Sequence, residues 1–193
     1  AGLLGLNSQR KLVPTRWAIT ATDDSISKEM LKSIRNFEQI NDILLFSGNY
    51  IGNHYEIILL PENFSYEVIE IASQSKKIWK DHETFFPRKT YASSVVGGYY
   101  AIRLALCEYL MKIKKQATVL VFREVRPEYT SVGVGMLREL GRDIFTNPPQ
   151  KFNNIKEVFD NIQTRFVLPI TIFTENSSLL PNYKKQKKLS DYF

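Results

Sequence analysis

Cysteine, histidine and long apolar runs are scarce in this sequence, and each scarcity excludes a class of protein. The chain has one cysteine and two histidines, so it can form no internal disulfide and has too few of these ligands for a zinc site of its own. The cysteine, Cys107, lies among leucines and is interpreted as a small buried apolar residue, which fits a reducing cytoplasm. No apolar run approaches the roughly 20 residues of a transmembrane helix. We therefore expect a cytoplasmic protein without a membrane-spanning segment, and the sequence assigns no metal ligands or cofactor.

A strong charge imbalance is also missing from most of the chain. The 193 residues include 26 basic and 20 acidic side chains, which give a net charge of +6. Four lysines and one aspartate follow Tyr183, so half of the excess lies in the last ten residues. The remainder is only mildly basic, which is weak evidence for direct contact with nucleic acid.

Hydrophobic periodicity predicts an alternation of strands and helices. Strands are predicted at 15–22, 43–46, 55–60, 118–122 and 167–173, and helices at 27–40, 64–79, 99–114, 134–145 and 155–165. The strands at 43–46 and 55–60 flank a turn-rich segment and are expected to form a hairpin. These spacings indicate one α/β or α+β domain over residues 1–174. Residues 175–193 are polar and lysine-rich, and we expect a flexible tail that is disordered until bound.

The chain ends in QKKLSDYF, and this short pattern is the strongest functional signal in the sequence. One helical turn places Leu189, Tyr192 and Phe193 on one side, and Gln186 lies one turn before them. An apolar plug at the end of a polar tail is typical of a peptide that docks into the groove of another protein. The four residues match the clamp-binding peptide (PIP box) that replication and repair proteins use to bind the sliding clamp PCNA. The alternative is that Tyr192 and Phe193 fold back onto their own domain.

Three further blocks resemble the C-terminal portion of the archaeal Nre family of DNA-repair proteins. They are LVPTRWAITATDDSISK at 12–28, RKTYASSVVGGYYAIRLALCEYL at 88–110 and REVRPEYTSVGVGMLRE at 123–139. The resemblance implies a DNA-damage repair factor that PCNA recruits to DNA, with DNA contacted directly or only through the clamp. The resemblance further implies that the N-terminal half of that family, which usually carries a cysteine-rich zinc motif, is missing here, so the zinc is assigned to no residue of this chain.

An enzymatic function is the alternative, and it depends on three carboxylates. Asp23 and Asp24 follow the predicted strand at 15–22, and Glu124 follows the strand at 118–122. Acids at strand ends can share Mg²⁺ for phosphodiester chemistry, as in a metal-dependent nuclease or another phosphoryl- or nucleotide-handling enzyme. The simpler interpretation is that Asp23 and Asp24 are turn and helix-cap residues ahead of Ser25 and Ser27. The sequence alone does not decide whether the protein is an enzyme.

Glycines and aromatic residues before the helix at 99–114 allow two interpretations each. Gly97 and Gly98 can form an anion site at a helix N-terminus, or they can permit close packing of the helix against a strand. The aromatic residues can form a stacking surface for single-stranded DNA, or they can belong to the core. They are Phe85, Phe86, Tyr91, Tyr99 and Tyr100.

Overall fold

A six-stranded mixed sheet separates two layers of helices in the computed structural model, which describes residues 2–4, 11–130 and 133–185. The strands are β1 (Gly2–Leu4), β2 (Lys11–Val13), β3 (Ile43–Tyr50), β4 (Asn53–Leu60), β5 (Ser65–Ala72), β6 (Ile78–Glu83), β7 (Thr118–Val125) and β8 (Gln150–Phe152). The helices are α1 (Thr15–Ile34), α2 (Gly97–Ile113), α3 (Val134–Ile144), α4 (Ile155–Gln163), α5 (Ile170–Asn176) and α6 (Leu180–Lys185). None of these helices is long and apolar enough to cross a membrane.

The strand order across the sheet is β6-β5-β7-β4-β3-β8, and β1 pairs with β2 in a separate ladder. Within the six-stranded sheet only β5 and β7 run parallel, while the other neighbours are antiparallel. The predicted hairpin at 43–46 and 55–60 is confirmed, because β3 and β4 pair from Leu44–Leu59 to Tyr50–Asn53. The mixed α/β fold class is confirmed as well.

Both faces of the sheet are buried, each under its own helical layer. On β7, Val119 and Val121 face the core formed with α1, α2 and α3, while Leu120 and Phe122 face the core formed with α4, α5 and α6. A central strand that is covered on both sides has no polar face, which explains the continuous apolar run at 118–122. The predicted strand there is confirmed, as are the helices predicted at 99–114, 134–145 and 155–165.

The strand predicted at 15–22 is wrong, because these residues form the first part of α1. The residues that α1 buries follow a helical spacing but are polar at its start. They are Thr20, Asp23, Ser27, Leu31 and Ile34. Hydropathy does not identify a buried helix face that begins with the polar residues Thr20 and Asp23. The alternation of apolar and polar residues around Trp17 instead resembles the pattern of a strand. Ser27 is accordingly no helix cap: it lies within α1, and its Oγ donates to the Asp23 carbonyl at 2.7 Å.

Two further elements differ from the prediction. The helix predicted at 64–79 is wrong, because this segment forms β5 and the start of β6. The strand was not recognised in the sequence because β5 is buried on both faces and the buried Glu67 and Glu70 interrupt its apolar run. The strand predicted at 167–173 is also wrong. Pro169 precedes the first turn of α5, where its fixed φ favours a helix start, and Phe173 of α5 is buried.

The folded body continues beyond residue 174, where the sequence placed the start of a flexible tail. The carboxylate of Glu67 accepts hydrogen bonds from the Ser177 hydroxyl and, at 2.7 Å, from the Ser178 N–H, so β5 holds the start of α6. Leu179 and Leu180 are buried in the core beside that contact. The predicted docking residues within 186–193 lie outside the described residues, and the clamp-binding peptide stays a prediction.

Candidate functional site

The start of α2 is held by close packing with two neighbouring elements. A Cβ on Gly97 would overlap the Val134 side chain of α3, and a Cβ on Gly98 would lie 3.0 Å from Glu70 Oε1 on β5. Close packing of α2 against α3 and β5 therefore explains why both positions are glycine. The residue before them, Val96, has φ +60° and ψ −127°, a conformation that costs a β-branched residue on the order of 1–3 kcal/mol.

Arg103, on the second turn of α2, is the centre of a buried polar cluster. Its side chain is 1% exposed, and its Nη1 lies 3.0 Å from Glu83 Oε1 at the end of β6. Its Nε donates to the Ser27 hydroxyl at 3.1 Å, and its Nη2 pairs with the Asp24 carboxylate. Burial alone would lower the pKa of Arg103, but the charges of Glu83 and Asp24 outweigh burial, so its pKa is raised and it stays a cation.

A cavity of about 440 Å³ opens beside this cluster, between α1 and the loop at 91–96. Its lining is mostly apolar and comprises Trp17, Thr20, Ala21, Asp24, Tyr91, Val96 and Tyr100. The Tyr91 and Tyr100 rings stack with centroids 5.2 Å apart, and the Tyr100 hydroxyl accepts the Ala92 N–H at 2.8 Å. These contacts fix an aromatic wall of the cavity in which Tyr100 is buried and Tyr91 is exposed.

A second, basic hollow of about 180 Å³ adjoins the first, since Asp24, Tyr91 and Tyr100 line both. Its other lining residues are Lys28, Arg88, Lys89, Thr90 and Arg103. We call the two hollows together the α1–α2 cleft. One part of it is apolar and aromatic and the other is basic, which is a combination that suits a ligand with a flat ring and a negative charge.

The three predicted catalytic carboxylates do not meet. Asp24 lines the α1–α2 cleft, whereas its neighbour Asp23 is fully buried and pairs with Arg138 of α3 at 2.7 Å. Glu124 lies on the opposite face of the sheet, where it accepts the Leu168 N–H at 2.7 Å. In the described ranges no group of three His, Cys, Asp or Glu side chains is arranged to hold a metal ion. The strand-end argument for Asp23 and Asp24 is wrong because both lie inside α1.

The aromatic residues that the sequence analysis named differ in burial and location. Tyr99 is fully buried and belongs to the core, while Tyr91 is 49% exposed and lines the cleft. Sequence reasoning missed Trp17, since a strand was predicted there. It also missed Arg88, which pairs with Asp81 at 3.1 Å and donates to the His82 carbonyl at 2.7 Å. The signal that could have found Trp17 is its place in one of the three blocks that carry the family resemblance.

A second polar cluster is fully neutralised and makes a weaker candidate. Arg123 on β7 pairs with Glu70 at 2.8 Å, donates to the Asn53 side chain and lies between the Tyr55 and Tyr129 rings. A cavity of about 330 Å³ adjoins this cluster. Because Arg123 has a carboxylate partner, two aromatic faces and an amide acceptor within the protein, its charge is already compensated.

Comparison with known proteins gives matches over nearly the whole chain. The family model described as "Archaeal Nre, N-terminal" matches residues 1–80, and the model described as "Archaeal Nre, C-terminal" matches residues 83–192. The first match corrects the expectation that the N-terminal part of the family is missing, because residues 1–80, including the block at 12–28, match the N-terminal model. No solved structure gives a significant match.

Curated relatives include DNA repair protein NreA from Archaeoglobus fulgidus, which is 35% identical over 202 aligned positions that cover 100% of this chain and 49% of the relative. DNA repair protein NreB from the same organism is 35% identical and covers 93% of this chain and 48% of that relative. DNA repair protein NreA from Haloferax volcanii is 34% identical, with 75% of this chain and 37% of the relative covered. The chain spans about half the length of the curated relatives it matches.

Proposed function

This chain belongs to the archaeal Nre family, and from that premise we propose that it acts in DNA repair as a factor that the sliding clamp PCNA recruits to DNA. One observation carries the repair role: a protein named as a DNA repair protein aligns with all of this chain at 35% identity. The clamp-binding part rests on the pattern formed by Gln186, Leu189, Tyr192 and Phe193.

The position of α6 determines how closely the proposed docking peptide follows the folded body. Glu67 and the buried Leu180 fix α6 to the body, and Gln186 follows its last residue, Lys185, directly. No flexible spacer over 175–185 therefore separates the body from the peptide. A clamp that holds residues 186–193 would hold the body close to the DNA that it encircles, which raises the effective concentration of the body at DNA.

The expected affinity follows from the three apolar side chains of the peptide. Burying Leu189, Tyr192 and Phe193 yields roughly 5–8 kcal/mol. Ordering the segment costs roughly 2–5 kcal/mol, and the Gln186 hydrogen bonds recover part of that cost. The sum is consistent with a complex in the micromolar range.

Calorimetry of the full chain against PCNA tests this proposal. The double substitution Tyr192→Ala and Phe193→Ala is expected to abolish measurable binding. The matched control Ser190→Ala, at a free position of the same pattern, is expected to bind like the unchanged chain. Equal affinity of the double variant and the control would refute the docking role of the two aromatic residues.

A binding factor fits the described residues better than a three-carboxylate nuclease does. Asp23 and Asp24 lie in one helical layer and Glu124 faces the other, so no shared metal site is available to them. DNA association is therefore expected to depend on recruitment: it should rise in the presence of clamp loaded on DNA, and Tyr192→Ala with Phe193→Ala should remove the rise. Fluorescence anisotropy at fixed salt measures both quantities.

A further inference from the structure

The apolar part of the α1–α2 cleft differs from the packed cores in its exposure. Trp17 is 54% exposed, Tyr91 49% and Val96 44%, and all three line the same cavity of about 440 Å³. Large apolar side chains that surround a concave space at the surface are typical of a ligand site. Aromatic rings from α1 and from the loop at 91–96 offer faces on which a planar base can stack.

The basic part of the cleft has one positive charge that no carboxylate compensates among the described residues. Lys28 is paired with Asp24, Arg88 with Asp81, and Arg103 with Glu83 and Asp24. Lys89 is exposed and forms no ion pair with any described residue. One uncompensated cation suits one phosphate, whereas binding of a DNA duplex depends mainly on lysines and arginines that neutralise many phosphates at once. The charge of the cleft therefore favours a single nucleotide over a length of double helix.

The loop between the two parts is held in place before any ligand binds. The Asp81 carboxylate accepts the Ser94 N–H at 2.9 Å and the Val95 N–H at 2.8 Å. The next residue, Val96, takes its strained positive φ and projects a half-exposed side chain at the cavity. Strained residues that the surrounding contacts enforce occur preferentially at binding sites, where they fix the geometry in advance.

We propose that the α1–α2 cleft binds one unpaired nucleotide of single-stranded DNA, with the base against Trp17 and Tyr91 and the adjacent phosphate at Lys89. The inference rests on the proposed function, since a repair factor held on DNA by the clamp meets strands with unpaired bases. The shared chemistry is an aromatic base joined to a phosphate, which a free nucleotide also offers. The DNA strand is favoured because exposed residues border both parts of the cleft, Trp17 and Tyr91 in the apolar part and Lys89 in the basic part, so a strand can continue beyond the bound nucleotide.

The test is fluorescence anisotropy of a labelled single-stranded oligodeoxythymidine with the full chain. Trp17→Ala is expected to weaken binding about tenfold or more, because stacking on one base is lost. Lys89→Ala is expected to lower the slope of log affinity against log salt by about 0.7, the value for one phosphate contact on a single strand. The matched controls are Tyr50→Ala on β3, far across the sheet order from β6, and Lys156→Ala on α4, in the opposite helical layer. Both controls are expected to bind like the unchanged chain.

Competition and clamp binding separate the possible failures. A duplex of the same length should compete poorly, and a free nucleotide should compete only at much higher concentration than the oligonucleotide. Equal binding by Trp17→Ala and Tyr50→Ala, tighter binding of the duplex, or tighter binding of the free nucleotide would each overturn the inference. PCNA affinity should be the same for Trp17→Ala as for the unchanged chain. Conversely, loss of clamp binding in Tyr192→Ala with Phe193→Ala should leave oligonucleotide binding intact, so each proposal can fail alone.

Discussion

Replacing Arg103 by methionine removes a buried cation while keeping most of the side-chain volume. In the folded protein Arg103 is the partner of Glu83, whose side chain is 0% exposed, and it also donates to the Ser27 hydroxyl. The substitution therefore leaves a carboxylate without its cation in a site closed to water. Breaking a buried pair in this way costs about 3–5 kcal/mol, because the remaining charge keeps its desolvation penalty.

The expected loss of stability can be compared with that for a more exposed arginine that also pairs with two carboxylates. Arg142 on α3 pairs with Glu108 at 2.6 Å and with Glu139 at 2.9 Å, but its side chain is 39% exposed. Water solvates both carboxylates once the arginine is gone, so Arg142→Met is expected to cost only about 0–1 kcal/mol. The contrast isolates burial as the cause, since both arginines have two carboxylate partners.

Urea unfolding of the two variants measures the difference, and thermal unfolding provides a second readout. For a chain of this length each kcal/mol lowers the melting temperature by about 2–4 °C, so Arg103→Met should lower it by roughly 6–20 °C. Adding Glu83→Gln to Arg103→Met should recover part of the loss, because the orphaned side chain is then neutral. Equal stability losses for Arg103→Met and Arg142→Met, or no recovery in the double variant, would refute this reasoning.

Two further predictions concern buried titratable groups. Burial raises the pKa of Asp23 above its ordinary 3.8 although Arg138 opposes the shift, so the folded state binds this proton more tightly and the free energy of unfolding should fall as pH rises from 3.8 to the folded-state pKa. Asp23→Asn should remove that decline in urea unfolding measured at increasing pH from 3.8 upward, and an unchanged decline would contradict the assignment. Burial also raises the pKa of the Cys107 thiol to about 12, so iodoacetamide should label it slowly in the folded protein and rapidly in denaturant. Fast stoichiometric labelling under native conditions would contradict its buried position.

The elements that sequence reasoning predicted correctly are those whose own residues decide their structure. The run at 118–122 is apolar at every position, so β7 is recognisable without knowledge of its neighbours. The helix α2 presents apolar residues over several turns, and the turn around Gly52, which adopts φ +71°, joins β3 to β4. The family resemblance and the pattern at Gln186 to Phe193 are likewise properties of residue order and need no structure.

The errors occur where a charged or polar side chain is buried by partners far away in the chain. Ser27 of α1 is covered because Arg103 reaches it from 76 residues later, and Asp23 of α1 is buried against Arg138 of α3. Glu67 of β5 is covered because Ser177 and Ser178 donate to it from 110 and 111 residues later. Hydropathy scores such residues as exposed, so the helix at α1 and the strand at β5 could not be recognised locally.

The sequence by itself determined the fold class, the family and the candidate docking peptide, because residue composition and order specify these features directly. Only the tertiary structure decided that Trp17, Tyr91 and Lys89 border one cleft and that Glu124 lies across the sheet from Asp24. The physical reason is that a polar side chain is buried or exposed according to its partners. Those partners are set by the packing of α1, α2 and β6 against one another, and hydrophobic periodicity contains no information about that packing.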